Sequence, residues 1–136
     1  MDNASRLISI DTDPHAQEIA RSELGGDHRL ALLEGDAGRF LESCTVRFDL
    51  IFADAWPGKY SHLDDALGVL KPGGIYVVDD MLPQPNWPDD HAPRAAALLE
   101  RLLRLPGFAI TQLGWSTGLV LCVKLPAGNQ EGARTT

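Results

Sequence analysis

The sequence predicts an α/β protein of three layers, in which helices cover both faces of a mostly parallel sheet with a C-terminal antiparallel hairpin. Short β-rich runs alternate with helical segments almost from the first residue. Such alternation favours right-handed crossovers and parallel strands. Only the last two β-rich runs follow each other closely enough to form a hairpin.

In the first half of the chain, proline, glycine and aspartate delimit the elements. The predicted strands cover residues 7–10, 29–33 and 47–53, and the predicted helices cover residues 14–24 and 36–43. Pro14 suits the first turn of a helix, and Gly25 with Gly26 suits its end. Asp36 is a residue type that caps the start of a helix.

In the second half, a helix is predicted at 60–70, with leucines on one face and a Pro-Gly-Gly stop. A strand at 75–78, a proline-rich loop at 81–93 and an apolar helix at 95–105 follow, and the hairpin strands cover 108–113 and 119–123. The tail, 126–136, is small and polar and is predicted to be disordered. We therefore predict one domain over residues 1–125.

Composition excludes several classes of protein. The chain has 136 residues, 44% of them hydrophobic, and 19 acidic against 12 basic residues give a net charge of −7. No cluster of basic residues is present for a nucleic acid, and no apolar run approaches the roughly 20 residues that cross a membrane. No secretory signal is visible, and Cys44 and Cys122 lack metal-type spacing. These features predict a cytoplasmic protein with neither a nucleic acid nor a membrane as its partner.

Aspartates follow successive predicted strands. They are Asp11, Asp36, Asp54 and the pair Asp79-Asp80. Ligands of parallel sheets bind beyond the carboxyl ends of the strands. Each aspartate alone could be a cap or a turn residue, but together they predict a site at one sheet edge.

Four segments in order resemble the class I S-adenosylmethionine (SAM)-dependent methyltransferases, within them the catechol-type small-molecule O-methyltransferases. The segments are Leu7-Ile8-Ser9-Ile10-Asp11-Thr12-Asp13-Pro14, Glu34-Gly35-Asp36-Ala37, Phe48-Asp49-Leu50-Ile51-Phe52-Ala53-Asp54-Ala55 and Leu70-Lys71-Pro72-Gly73-Gly74-Ile75-Tyr76-Val77-Val78-Asp79-Asp80. The resemblance implies a Rossmann-like fold, SAM as cofactor, and a hydroxylated small molecule as methyl acceptor.

The resemblance also implies a role for three residues in cofactor binding. Asp11 matches the carboxylate that accepts hydrogen bonds from both ribose hydroxyls. Asp36 and Ala37 match the residues beside the adenine. The alternatives are that Asp11 caps the helix after Pro14 and that Asp36 caps the following helix.

Asp54, Asp79 and Asp80 match the positions at which metal-dependent members hold a divalent ion. Asp80 replaces the usual Asn, and its oxygen can still coordinate. Carboxylates suit Mg²⁺ or Ca²⁺, which lowers the pKa of a bound hydroxyl. Metal use is left open, since many related enzymes keep an acidic residue here without a metal.

The expected general base of the metal-dependent branch is a Lys three residues after Asp54, where this sequence has Pro57. Lys59 lies two residues further on, and Gly58 permits a tight turn that could bring it to the site. The alternative for Lys59 is a solvated surface lysine. Trp56 either forms a wall of the acceptor site or covers the sheet edge.

His91 in the proline-rich loop is the third candidate catalytic residue, with Asp54 and Lys59. It is the imidazole near this edge that could accept a proton at neutral pH. Trp87 in the same loop offers a flat apolar surface for a planar acceptor. The alternative is a solvated histidine at the start of a helix.

The sequence begins at the family's second strand, so the first core strand and its glycine-rich turn are absent from it. We expect either coding sequence upstream, a strand donated by a partner chain such as a second copy, or a collapsed sheet. We also expect the chain by itself to bind SAM weakly or not at all, and whether it is an active enzyme is left open.

Two other classes of function remain as alternatives. A phosphoacceptor receiver domain also uses clustered aspartates, with a Lys such as Lys124 after a late strand, but its acidic pair follows the first strand. A non-catalytic remnant would use exposed strand edges to bind a partner.

Overall fold

The computed structural model describes residues 2–127, so most of the predicted tail, residues 128–136, lies outside the described part. The strands and helices alternate as the sequence predicts. The chain divides into two compact units, Met1–Ser43 and Cys44–Thr136, and each is described by itself. The single domain over residues 1–125 stays a prediction.

The first unit contains a parallel pair of strands and two helices. Its elements are β1 (Leu7–Asp11), α1 (Pro14–Leu24), β2 (Leu30–Glu34) and α2 (Ala37–Ser43). The strands pair in register from Leu7 opposite Leu30 to Asp11 opposite Glu34. Their carboxyl ends therefore lie side by side, as parallel pairing requires.

The second unit is built on a mixed four-stranded sheet. Its elements are β3 (Phe48–Ala53), α3 (Trp56–Lys59), α4 (Leu63–Gly68), β4 (Leu70–Val78), α5 (His91–Leu103), β5 (Phe108–Leu113) and β6 (Leu119–Lys124). The strand order is β3-β4-β6-β5, with β3 parallel to β4 and the other pairs antiparallel. The predicted parallel pairing and the predicted hairpin are both confirmed, although the described strands form two sheets where one was expected.

The helix predicted at 60–70 is wrong in extent, because the chain turns before it. Pro57 (ψ 132°) and Gly58 (φ +91°) have non-helical backbone angles inside α3, and His62 (φ +55°) separates α3 from α4. The strand predicted at 75–78 begins at Leu70. Phe48 pairs with Leu70 and Leu50 with Ile75, so the Lys-Pro-Gly-Gly segment forms a bulge within β4.

The last helix of this unit starts earlier than the sequence predicts. Helix α5 begins at His91, so Pro93 lies in its first turn, where a missing N–H costs nothing. It ends at Leu103, before Leu105, which precedes Pro106 and is therefore disfavoured in a helix.

The hydrophobic core lies in the second unit. The most deeply buried large side chains there are Tyr76, Leu70, Leu102, Val78, Val120 and Cys122. Strand β3 is only partly buried, since Leu50 and Phe52 are both more than half exposed. Between residues 2 and 127, no helix is both long and apolar enough to span a bilayer.

Candidate functional site

The predicted cofactor residues lie at the carboxyl edge of the two-stranded sheet. Asp11 is the last residue of β1, and its backbone carbonyl accepts a hydrogen bond from Gly35 N at 2.9 Å. Asp36 and Ala37 follow directly after that contact, at the start of α2. The structure therefore brings these three predicted residues to one edge of the first unit.

The capping alternatives resolve differently for the two aspartates. Asp13, not Asp11, caps α1, since its Oδ1 accepts from His15 N at 2.8 Å. The alternative in which Asp11 is that cap is wrong. Asp36 Oδ1 accepts a hydrogen bond from Arg39 N at 3.0 Å, so Asp36 caps α2. Its contact with the adenine of the cofactor stays a prediction.

A shallow groove of the first unit lies away from this edge. Its lining includes Glu23, Gly26 and Arg29, which belong to the end of α1 and the turn before β2. Since β1 and β2 run parallel, the groove is at the opposite end of the sheet from Asp11. The groove therefore does not include the residues predicted to bind the cofactor.

The carboxylates of the second unit follow two adjacent parallel strands. Ala53 pairs with Val78, and Asp79 N donates to Ala53 O at 3.2 Å, so Asp54 and Asp79 leave the sheet side by side. Burial raises the pKa of the Asp54 carboxyl, and repulsion from Asp80 and Asp79 raises it further. These three aspartates are near enough for their charges to interact, whereas Asp11 and Asp36 follow strands of the other sheet. The single sheet edge predicted for all five aspartates is therefore wrong, and the role of these three stays a prediction.

Asp79 is held by neighbours on both sides. Its Oδ1 accepts from the Thr117 hydroxyl at 2.6 Å and from Asp80 N at 2.7 Å. Asp80 itself has a left-handed backbone (φ +54°), which turns the chain sharply after β4. The orientation of the Asp79 carboxylate is thus fixed by the turn between β5 and β6.

The aspartates do not form a preformed metal site. Among residues 2–127, no three His, Cys, Asp or Glu side chains converge closely enough to hold a metal ion. The oxygen of Asp79 that two donors already engage is also a poor ligand for a further cation. This arrangement does not fit the Mg²⁺ or Ca²⁺ site that the family resemblance implies.

Lys59 lies inside this cluster and not on the surface. Only 3% of the residue is exposed, and its Nζ donates to Asp79 O at 2.6 Å. Burial lowers the pKa of Lys59, while the charges of Asp80, Asp54 and Asp79 oppose that shift. The solvated surface lysine considered from the sequence is therefore wrong.

The turn that carries Lys59 is fixed by the core. Gly58 has φ +91°, a conformation that favours glycine, and its carbonyl accepts a hydrogen bond from the buried Tyr76 hydroxyl. Gly58 N donates to Ser61 O at 2.6 Å. These contacts hold the lysine at the ends of β3 and β4.

Four rings form an aromatic cluster at the same edge, defined by Trp56, Tyr60, Trp87 and His91. His91 Nε2 lies 3.0 Å from Tyr60 Oη, and the His91 ring centre lies 4.3 Å from that of Trp87. The Trp56 and Tyr60 centres are 5.2 Å apart in an edge arrangement. His91 is thus partly buried within the cluster, whereas half of Trp56 is exposed and the Arg94 guanidinium lies 4.9 Å from its ring centre.

Two residues of this site carry no signal in the sequence. Tyr60 was assigned to the face of a helix, and Thr117 to a hairpin turn. Each becomes part of the site only because distant segments pack together, α3 against α5 for Tyr60 and the hairpin turn against β4 for Thr117.

Lys124 does not reach the aspartates. Its Nζ donates to Leu67 O at 2.7 Å and to Leu70 O at 2.9 Å. Leu70 begins β4, whereas Asp79 follows the last residue of that strand. The lysine that a receiver domain would need is therefore at the opposite end of the sheet.

Comparison with protein families gives a class for this fold and site. The family model described as a methyltransferase domain matches residues 1–81. The chain belongs to this methyltransferase family. A search of curated proteins finds no match.

Several solved structures have the same fold. This chain spans about three fifths of their length. Cofactor-bound Rv0187 from MTB is 24% identical, with a TM-score of 0.76 over 90% of this chain and 62% of its own. The O-methyltransferase from Bacillus cereus in complex with SAH is 20% identical, with a TM-score of 0.73 over 88% and 62%.

A third similar structure is the O-methyltransferase TomG from Streptomyces achromogenes, involved in tomaymycin synthesis and solved with SAM. It is 24% identical, with a TM-score of 0.71 over 89% of this chain and 62% of its own. The likeness confirms the predicted α/β, Rossmann-like fold of class I methyltransferases. Together with the family match, it favours this class over the receiver domain.

Proposed function

We propose that this chain carries out SAM-dependent O-methylation of a small aromatic hydroxyl compound. The observation that carries the acceptor class is the aromatic cluster at the carboxyl ends of β3 and β4. The Trp56 ring of this cluster is half exposed, and the Arg94 guanidinium lies 4.9 Å from its centre. Tyr60 of the same cluster is near enough to Asp80 for that charge to raise the pKa of the Tyr60 hydroxyl. A planar phenol can stack on the ring while its hydroxyl faces the polar groups.

The cofactor assignment rests on the family and on the edge of the first unit. Asp11 would hold the ribose hydroxyls, and Asp36 and Ala37 would adjoin the adenine. The Bacillus cereus and Streptomyces achromogenes structures contain SAH and SAM respectively, which supports the same cofactor here. When bound, SAM supplies an activated methyl group.

The residues of the second unit would position the acceptor and receive its proton. His91, whose Nε2 lies 3.0 Å from Tyr60 Oη, would receive that proton. Asp54 adjoins as a second acceptor, because its raised pKa makes it more basic than an ordinary carboxylate. The positive charge of Lys59 would offset the negative charges of the nearby aspartates. Methyl transfer depends mainly on the alignment of the acceptor oxygen with the methyl group in a site without water. These side chains would therefore increase the rate of transfer without being essential for it.

Retention of radiolabelled SAM in equilibrium dialysis tests the cofactor assignment. Because the chain by itself is expected to bind SAM weakly, the dialysis uses SAM at a concentration at which the wild type retains label. Under these conditions we expect Asp11→Ala to weaken binding about 10- to 100-fold, because a charged acceptor for two hydroxyls is lost. Glu18→Gln, an exposed charge change on α1, is the matched control and should bind like the wild type. Equal retention by Asp11→Ala and the wild type would contradict the assignment.

Label transfer from SAM to a panel of catechols, monophenols and aliphatic alcohols tests the acceptor class. We expect transfer to the aromatic members only, with a roughly 100-fold lower kcat for His91→Gln and little change in KM. His15→Gln, at an exposed histidine of α1, should leave the rate unchanged. Preference for the aliphatic alcohols would overturn the proposed class, and SAM binding without any transfer would favour a non-catalytic binding module.

A further inference from the structure

Three strand-end carboxylates of the second unit lie near enough to a buried amine for their charges to act on it. Lys59 is 3% exposed, and its ammonium faces the charges of Asp54, Asp79 and Asp80. A buried cation is costly unless opposite charges or acceptors compensate it. Here the compensation comes from the same residues that the family resemblance implies as metal ligands.

The amine is anchored to the backbone at the end of β4. Its Nζ donates to the backbone carbonyl of Asp79 at 2.6 Å. The backbone of the preceding residue, Gly58, is held by the buried Tyr76 hydroxyl and by Ser61 O, so the turn that carries the lysine is fixed. A divalent ion placed among the three carboxylates would meet the ammonium at close range and be repelled by it.

We propose that the Lys59 ammonium is the resident cation of the Asp54, Asp79 and Asp80 cluster and that it takes the place of a divalent metal there. The lysine offsets the repulsion among the three carboxylates and acts as a positioning residue for them. Two donors on Asp79 Oδ1 and the lack of a three-ligand cluster in the described part of the chain agree with this role. The proposal concerns the charge of the site and does not require methyl transfer.

Thermal unfolding of the full chain tests the proposal without cofactor or acceptor. For the wild type we expect the same Tm in EDTA and in 10 mM Mg²⁺ or Ca²⁺, and no Tb³⁺ luminescence sensitised by tryptophan. Lys59→Met keeps the apolar stem and removes the charge. We expect this variant to have a lower Tm in EDTA, to gain about 5 °C or more on adding Ca²⁺, and to sensitise Tb³⁺.

Two further variants separate charge from packing. Lys71→Met removes an exposed ammonium that pairs with Asp49 at 2.8 Å, and should remain insensitive to metal. Lys59→Met combined with Asp54→Asn should recover part of the lost Tm in EDTA, since one repelling carboxylate is removed. A metal-dependent Tm of the wild type would overturn the proposal. It would also be overturned if Lys59→Met were insensitive to metal and its loss were not relieved by Asp54→Asn.

Discussion

Thr117 orients the carboxylate on which the polar side of the site depends. Its hydroxyl donates to Asp79 Oδ1 at 2.6 Å from a turn that is 38 residues away in sequence. Hydrogen bonds to a charged acceptor in a partly buried place are among the stronger ones in proteins. The Thr117 side chain therefore connects the hairpin turn to the end of β4.

We expect Thr117→Val to lower the free energy of unfolding by about 1–2 kcal/mol, because a near-isosteric side chain removes only the hydroxyl. Urea denaturation followed by tryptophan fluorescence measures the change. Thr111→Val is the control, at an exposed position of β5, and should stay within about 0.5 kcal/mol of the wild type. Equal effects of the two substitutions would show that the Asp79 contact contributes nothing.

The two cysteines differ in access and in ionisation. Cys122 is fully buried in β6, and burial raises the pKa of its thiol to about 11. At pH 8 about one thiol in a thousand is then ionised, and the thiolate is the reactive form. Cys44 is only partly buried.

We expect Ellman's reagent at pH 8 to react with one thiol of the folded protein and with both in denaturant. The rate at Cys122 should be at least about 100-fold lower than at Cys44, and it should rise with pH because the raised pKa keeps the thiol protonated. The Cys44→Ser variant should lack the fast phase. A fast phase that survives this substitution would contradict the buried state of Cys122.

In the turn between β5 and β6, the backbone leaves no room for a side chain at Gly118. Gly118 has φ +86°, and a Cβ there would lie 2.7 Å from the backbone N of Leu82. Leu82 N also donates to Thr117 O at 2.9 Å, so the two segments are in direct contact. A side chain at Gly118 must therefore displace the chain that follows Asp80.

We expect Gly118→Ala to cost about 2–3 kcal/mol of stability, from the left-handed backbone and from the clash together. Gly114→Ala is the matched control in the same turn. A Cβ at Gly114 meets nothing within 4 Å, so this change should be neutral or slightly stabilising. Chemical denaturation of both variants gives the comparison, and similar stabilities would contradict the close approach to Leu82.

The elements that the sequence predicted well are those with local signals. The start of α1 at Pro14 and the hairpin of β5 and β6 follow from proline and from alternation, which act over a few residues. The Asp13 cap of α1 was missed, since Asp11 was considered as the cap. The early start of α5 was missed because Pro93 is allowed in a first turn. The short α4 was missed because a leucine face is also compatible with one helical turn after a bend.

The features of the site that could be predicted are likewise those with local signals in the sequence, and the others depend on contacts between distant segments. The aspartates at the strand ends could be predicted, because parallel strands bring their carboxyl ends together. The burial of Lys59 could not, since it depends on the hydroxyl of Tyr76 in β4 reaching Gly58. The pair of Tyr60 and His91 likewise depends on the placement of α5, which no local pattern specifies.

On the scale of the whole molecule, the apolar core is distributed unevenly. Within residues 2–127, every buried hydrophobic residue lies between Ala53 and Cys122, in the second unit. In the first unit the buried positions are Gln17 and Gly38. Gln17 is held by a polar contact, in which its Nε2 donates to Leu33 O at 3.1 Å. A two-stranded sheet with so little apolar burial is only marginally stable by itself.

Hydrogen exchange should therefore differ between the two sheets. Strands β4 and β6 each have two paired neighbours and a buried apolar face, so their amides should open only on global unfolding. The amides of β1 and β2 should exchange at least about 100-fold faster after correction for intrinsic rates, because they can open locally. Exchange measured by mass spectrometry at several pH values tests this. Equal protection of the two sheets would show that the first unit is stabilised by interactions beyond its own side chains.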